Sequence, residues 1–279
     1  MNIKEELEKM YRHTIRLDIS KRAEVELGKS HFGGVPDVPS DFVWPEYETS
    51  TFDDDTVKLR PLSFIAQFNC AEILPYDKDG LLPKSGLLLF FYEVGSMCWG
   101  FDPADKGCAK VYYFEDIKEL SSVEFPEELE EDYRFPTFEI NASSEHGLPC
   151  IEDFMLKHKK VDWDEFDEVR ETLGCKLPDL SSKLLGWPDI IQNNMTQECE
   201  LVSKGYYTGN GFDEIPKQEV ELAKRNSLDN WLLLFQLDIV SDDDFELMFG
   251  DCGRLYYYIR KEDLAAKKFD NIWLESQCC

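Results

Sequence analysis

Two apolar segments of this sequence each carry a pair of polar side chains two residues apart. Gln67 and Asn69 lie in "LSFIAQFNCA", and Gln236 and Asp238 lie in "WLLLFQLDIV". Residues two apart share one face of a strand, so each pair points to the same side. Because a buried amide must be hydrogen-bonded, two interpretations stay open. The four side chains either hold neighbouring loop backbones or line a polar ligand pocket.

Carboxylates near the second pair suggest an alternative, enzymatic chemistry. Asp251 lies in the turn "GDCGR", and Asp238 ends the apolar segment. Together with a nearby His or Glu they could transfer protons in a hydrolase-like reaction. Cys252 could be a nucleophile only with an activating base, and no histidine is near it in the sequence. An Asp before Gly also commonly accepts hydrogen bonds within its own turn.

Trp44 and Trp187 lie beside prolines in two loop-like segments, "HFGGVPDVPSDFVWP" and "LGWPDIIQNN". Their rings either pack into the core or form an aromatic wall for a flat or apolar ligand. We therefore count both among the candidate cleft residues.

The familiar cofactor and metal motifs are missing or broken. The stretch 23–30, "AEVELGKS", has Ala in place of the first glycine of a phosphate-binding loop and two glutamates inside it. An EF-hand aligned on Gly80 would put Pro75 at its first position and Gly86 at its twelfth, where acids are needed. The four histidines are far apart in sequence. The sequence predicts no metal and no cofactor.

Composition limits the possible partners. Among 279 residues, Asp and Glu number 57 and Lys and Arg number 30, which gives a formal charge of −27. So acidic a chain repels phosphate backbones and anionic headgroups, which argues against nucleic-acid and membrane partners. The start, "MNIKEELEKMYRH", has no apolar signal-peptide core. Nine scattered cysteines without a C-x-x-C pair suit free thiols, so we expect a cytoplasmic protein.

The elements that position these residues are strands with a few helices. Apolar runs predict strands near 14–19, 62–70, 85–94, 109–114, 231–239 and 253–260. Helical patterns cover 3–12, 151–175 with Gly174 as C-cap, and 217–225 with Pro216 at its start. This mixture predicts an α+β fold with antiparallel or mixed sheets and flanking helices.

A repeated order of motifs indicates two similar halves in one compact domain, 1–279. G-V-P-D (34–37) precedes Gln67 and then "GLLLFFY", while G-W-P-D (186–189) precedes Gln236 and then "GRLYYYI". The halves would span 14–115 and 183–265, joined by an acidic segment 115–150 and the helical region 151–175. Duplication predicts a pseudo-two-fold arrangement with a cleft between the halves.

The same motifs, in order, resemble the YwqG-like family over roughly residues 14–277. The stretches that carry the resemblance are "SHFGGVPDVPSDFVWP", "PLSFIAQFNCAEI", "LLPKSGLLLFFYE", "LLGWPDIIQ", "LLLFQLDI" and "FGDCGRLYYYIRKEDL". The resemblance implies a compact α+β domain of unknown function and no particular activity. Relatives often carry His near the start of the second glycine motif, where this chain has Ser181, Ser182 and Lys183.

The leading hypothesis is a cytoplasmic binding or interaction module whose partner is a protein segment or a small molecule. Its candidate cleft residues are Gln67, Asn69, Gln236, Asp238, Asp251, Trp44 and Trp187. The alternative is the hydrolase-like enzyme that uses the carboxylates of Asp238 and Asp251.

Overall fold

The structure is a computed structural model that describes residues 2–158, 161–175 and 181–279. The strands are β1 (Arg12–Arg22), β2 (His31–Phe32), β3 (Asp37–Val38), β4 (Glu46–Thr49), β5 (Lys58–Pro61), β6 (Ser63–Asn69), β7 (Leu87–Tyr92), β8 (Ala109–Phe114), β9 (Ser121–Ser122), β10 (Phe138–Gly147), β11 (Ser182–Leu184), β12 (Trp231–Leu237), β13 (Val240–Ser241), β14 (Glu246–Leu247), β15 (Arg254–Arg260) and β16 (Trp273–Gln277). The helices are α1 (Ile3–Glu8), α2 (Cys70–Ile73), α3 (Ile151–Lys157), α4 (Trp163–Thr172), α5 (Met195–Val202), α6 (Lys217–Asn230) and α7 (Lys261–Ala265), and 3-10 turns span Pro103–Asp105, Glu131–Tyr133 and Phe269–Asn271.

One large sheet organises the described part of the chain. Its ten strands run in the order β16-β15-β12-β11-β1-β10-β2-β6-β7-β8, and each neighbouring pair is antiparallel. The expected α+β class with antiparallel strands is therefore confirmed.

The strand order has an internal symmetry about the β1–β10 pair. On one side follow β11, β12, β15 and β16; on the other follow β2, β6, β7 and β8. We name β1, β2, β6, β7 and β8 the N-terminal set, and β10, β11, β12, β15 and β16 the C-terminal set. The first strand of each set pairs with a strand of the other set: β1 pairs with β11, and β10 pairs with β2.

Residues 138–147, expected to belong to an acidic connection, form the central strand β10. The sequence "FEINASSEHG" has no sustained apolar alternation, and most of its side chains are exposed or half-buried. It is held by backbone hydrogen bonds to β1 along almost its whole length. A strand stabilised mainly by its ladder leaves little trace in hydrophobic periodicity.

Strict alternation predicted Phe64 on the face of Phe68, and Leu233 on the face of Leu237. The structure contradicts this, because β6 and β12 each contain a register shift one residue after these positions. Phe64 and Leu233 therefore pack on the outer face of the sheet, in different clusters from Phe68 and Leu237. A bulge adds one residue and so reverses the facing of everything before it.

The predicted helices are present with different bounds: those near 3–12 and 151–175 are shorter than expected, and α6 extends beyond the predicted 217–225. The region 151–175 contains α3 and α4, and α4 is followed by Gly174 at φ 80°, a left-handed conformation that glycine adopts without strain. Pro216 precedes α6 as its N-cap. No helix among the described residues is long and apolar enough to cross a membrane.

Candidate functional site

Gln67 is fully buried and ties two loop segments to β6. Its Oε1 accepts from the Asp37 backbone N–H at 2.9 Å. Its Nε2 donates to Asp37 Oδ2 at 2.7 Å and to the Lys29 carbonyl at 2.8 Å. Both amide N–H groups and the amide oxygen are thus hydrogen-bonded, to Asp37 of the G-V-P-D loop and to Lys29, as the burial of an amide requires.

Gln236 makes the same three contacts in the C-terminal set. Its Oε1 accepts from the Asp189 N–H at 2.9 Å, and its Nε2 donates to Asp189 Oδ2 at 2.9 Å and to the Ser181 carbonyl at 2.5 Å. The two registers also agree, since Gln67 pairs with His31 and Gln236 pairs with Lys183. We call these the first and second glutamine–aspartate networks.

Asn69 and Asp238 end their strands with different partners. The backbone N–H of each donates to a serine hydroxyl, Ser30 for Asn69 and Ser182 for Asp238. The Asn69 amide then donates to the Gly28 carbonyl. Asp238 Oδ2 instead accepts from Arg254 Nε at 2.6 Å. The acid in the C-terminal set therefore pairs with an arginine on β15, where β7 has no cation.

Within the described residues, the second network contains a buried ion pair and the first network contains none. Lys183 Nζ lies 2.5 Å from Asp189 Oδ2 and also donates to the Trp187 carbonyl at 3.2 Å. At the same strand position His31 makes only a contact of 2.8 Å to the Gly33 carbonyl. Burial raises the pKa of Asp189, but the charge and hydrogen bond of Lys183 outweigh it, so this pKa lies below its ordinary value.

The two candidate tryptophans occupy different surroundings. The Trp187 indole donates to the Met10 carbonyl at 2.7 Å, and the Arg12 guanidinium lies 3.5 Å from the ring centroid. Trp44 donates to the Leu62 carbonyl at 2.8 Å and packs edge to face on a core phenylalanine of β7. The structure therefore does not bring Trp44 and Trp187 to one wall.

Asp251 lies on an exposed turn, and its backbone carbonyl accepts from the Cys279 N–H at 2.9 Å. The four strand residues are not brought together either. Phe68 and Phe235 meet between the sets, with ring centroids 5.2 Å apart, whereas the polar pairs lie on the outer face of the sheet. Ligand binding by the seven candidate residues stays a prediction.

A cavity of about 920 Å³ adjoins the second network. Strands β1 and β10, helix α4 and the G-W-P-D loop supply its walls, so both strand sets contribute. The lining residues whose polar, ionisable or aromatic side chains could contact a ligand include Thr14, Arg16, Glu145, His146, Arg170, Cys175, Lys183, Trp187 and Asp189.

Arg170 is the cavity residue that sequence reasoning missed. Its side chain is buried, its Nη2 donates to the Leu148 carbonyl at 3.3 Å, and its Nε has no acceptor within the described residues. A signal was available, because Arg170 follows Phe166 by four residues and precedes Leu173 by three. That spacing places an arginine on the apolar face of a helix.

These features define a class: α+β proteins built on one antiparallel sheet, with two matching glutamine–aspartate networks on loops beside it. Residues 30–278 match the family model described as "Domain of unknown function (DUF1963)", so the chain belongs to that family. No curated protein matches the sequence. Within the described residues, no group of three or more His, Cys, Asp or Glu could hold a metal ion.

Proposed function

We propose that this protein is a binding module for a small anionic molecule and that the cavity beside the second network is its site. The observation that carries the proposal is the Arg170 guanidinium, which is buried in the cavity wall with its Nε unpaired within the described chain. A buried donor without an acceptor is costly, and a rotation of the guanidinium toward the cavity would let a carboxylate or phosphate oxygen satisfy it.

The charge of the cavity supports the same ligand class. Arg16 and Lys183 are paired with Glu145 and Asp189, so Arg170 gives the described lining an excess of one positive charge, in a chain whose formal charge is −27. An excess of cations is unexpected on such a protein unless it serves an anion. Focused positive potential in a concave, partly dry site would select an anion despite the overall repulsion.

We further propose that the two strand sets descend from a duplicated sequence. The resemblance to the YwqG-like family covers both sets. Matching strand order, bulges and glutamine networks support this. Lys183 stands where the N-terminal set has His31, and this difference between the two sets supports the cavity beside the second network as the anion site. The free cysteines support a cytoplasmic location.

The hydrolase-like alternative receives less support from the geometry. Asp238 is committed to Arg254 and to a backbone N–H, and Asp251 lies on an exposed turn. General acid–base chemistry needs carboxyl groups that converge on one concave site.

The test is a thermal-shift titration with citrate and pyrophosphate at constant ionic strength. We expect both to raise the Tm of the wild type and of Arg225→Gln, whose arginine is exposed on α6. Arg170→Gln should abolish most of the shift while keeping the circular dichroism of the wild type. Equal shifts in all three proteins would overturn the proposal.

A further inference from the structure

A second cavity, of about 560 Å³, lies on the far edge of the C-terminal set. Strand β16 and the start of α5 form one side, and loops 99–101 and 208–212 form the other. Trp99, Phe101 and Phe212 give it aromatic walls, and Glu198 and Glu275 are its carboxylates. Its lining contains no lysine or arginine within the described residues.

Glu275 is a buried acid with few partners within the described residues. Its side chain is 2% exposed. Its one hydrogen bond within the described chain comes from the Cys199 thiol, whose Sγ lies 3.6 Å from Oε1. No such bond reaches Oε2, and a thiol is a weak donor. Glu198, one residue before that cysteine, lines the same cavity. Its carboxyl group receives no hydrogen bond from the described residues.

Glu200, two residues further along α5, shows how this protein treats a buried acid that serves packing. Its Oε2 accepts from the Trp231 indole at 2.9 Å and lies 3.1 Å from Arg260 Nη1, while its Oε1 lies 3.3 Å from Lys204 Nζ. Neither Glu198 nor Glu275 has an ion pair of this kind within the described residues. Structural need therefore does not account for the two acids.

The electrostatics of the cavity point the same way. Burial raises the pKa of Glu198 to about 7, and burial, followed by the nearby charge of Glu198, raises the pKa of Glu275 well above its ordinary value. Asp105 faces Glu275 as a further acid. Without a cation the ionised forms of these two desolvated carboxyl groups are disfavoured, and a cationic ligand would stabilise them.

We propose that this cavity binds an organic cation through an ammonium or guanidinium group. Glu198 and Glu275 would accept its N–H donors, and Trp99 and Phe101 would contact its charged or aliphatic part. Within the described residues, no group of three or more His, Cys, Asp or Glu is present for a metal ion, and the aromatic walls suit an organic cation better than a bare ion. This site is independent of the anion cavity.

The experiment is calorimetric titration with agmatine in 150 mM NaCl, with 1,4-butanediol as a neutral comparison. We expect agmatine to bind and butanediol not to. Glu198→Gln should weaken agmatine binding at least about tenfold, because a charge-assisted hydrogen bond is lost. Glu128→Gln removes an equal charge from an exposed site and should leave the affinity unchanged.

Proton release gives a second readout that non-specific attraction to an acidic protein would not produce. A bound cation favours the ionised carboxylates, so binding at pH 6 should release protons and binding at pH 8.5 should release fewer, as measured in buffers of different ionisation enthalpy. Equal weakening in Glu198→Gln and Glu128→Gln, no proton release, or no binding at millimolar agmatine would each overturn the proposal.

Discussion

The rings of Phe90 and Tyr257 meet edge to face with centroids 5.1 Å apart. Phe90 pairs with Ala66 in β6, and Tyr257 pairs with Phe235 in β12, each directly after the bulge of its partner strand. The two residues therefore hold matching positions in the two strand sets. Their contact means that the sheet curves until the inner faces of the two sets form one core.

A double-mutant cycle would measure that contact. Phe90→Leu and Tyr257→Leu should each destabilise the protein by about 2–4 kcal/mol through lost packing. The two effects should couple by about 0.5–1.5 kcal/mol, because an aromatic pair adds energy beyond its buried area. Urea denaturation of the four proteins gives the coupling. Strictly additive effects would contradict a direct contact.

The two buried glutamines should contribute similarly to stability. Gln67→Ala and Gln236→Ala each leave a buried backbone N–H and an aspartate without their partner. We expect a loss of about 2–4 kcal/mol in each, measured by urea denaturation. Gln218→Ala on the exposed face of α6 is the matched control and should change stability by less than about 0.5 kcal/mol. Small losses in both buried variants would show that the networks are not structural.

Gly34 requires the absence of a side chain as well as a left-handed backbone. Gly34 has a φ of 66°, and a Cβ added to it would overlap the Thr137 hydroxyl. Gly34→Ala should therefore cost about 3 kcal/mol or more. Gly80 has nearly the same φ, 64°, and open space around it. Gly80→Ala should cost only about 1–2 kcal/mol, from the backbone strain alone. The difference between the urea midpoints of Gly34→Ala and Gly80→Ala therefore measures the cost of the steric overlap at Gly34.

Asp153 should make stability fall as pH rises. Burial, opposed by Arg12 and by a hydrogen bond from Asn194, raises its pKa to about 7. Between pH 4 and pH 7 the unfolded chain loses this proton and the folded protein keeps it, so the free energy of unfolding decreases. Below that window both states are protonated, and above it both are ionised.

Asp153→Asn should remove this decline. Relative to the wild type, the variant should gain roughly 2–4 kcal/mol between pH 4 and pH 8, because each pH unit within the window is worth about 1.4 kcal/mol. Asp213→Asn changes an exposed acid and should follow the wild-type profile. Parallel profiles for wild type and Asp153→Asn would show that Asp153 is ionised throughout.

The sequence predicted the features that depend on local pattern. Apolar runs located β6, β7, β12 and β15, and the spacing around Pro216 and Gly174 located helix boundaries. The matching polar pairs drew attention to Gln67 and Gln236, whose contacts are indeed equivalent. Each of these signals lies within a dozen residues, where side-chain type and backbone preference act together.

Features that depend on distant partners could not be predicted in the same way. β10 was missed because its ladder, rather than its side chains, holds it in place. The bulges in β6 and β12 left no unusual residue in the sequence. Helical spacing could have indicated that Arg170 lies on an apolar face, but the unpaired Nε of Arg170 and the single hydrogen bond of Glu275 are properties of the folded neighbourhood.

The crossed placement of β1 and β10 has a consequence for how the chain can be divided. Cutting between the two sets leaves each fragment holding a central strand that pairs with the other fragment. Neither fragment could complete its own sheet, yet the two should reassemble when mixed, in the manner of donor-strand complementation. The same geometry would let two intact chains exchange their N-terminal strands. Reciprocal domain swapping is therefore the route by which we expect this protein to dimerise at high concentration.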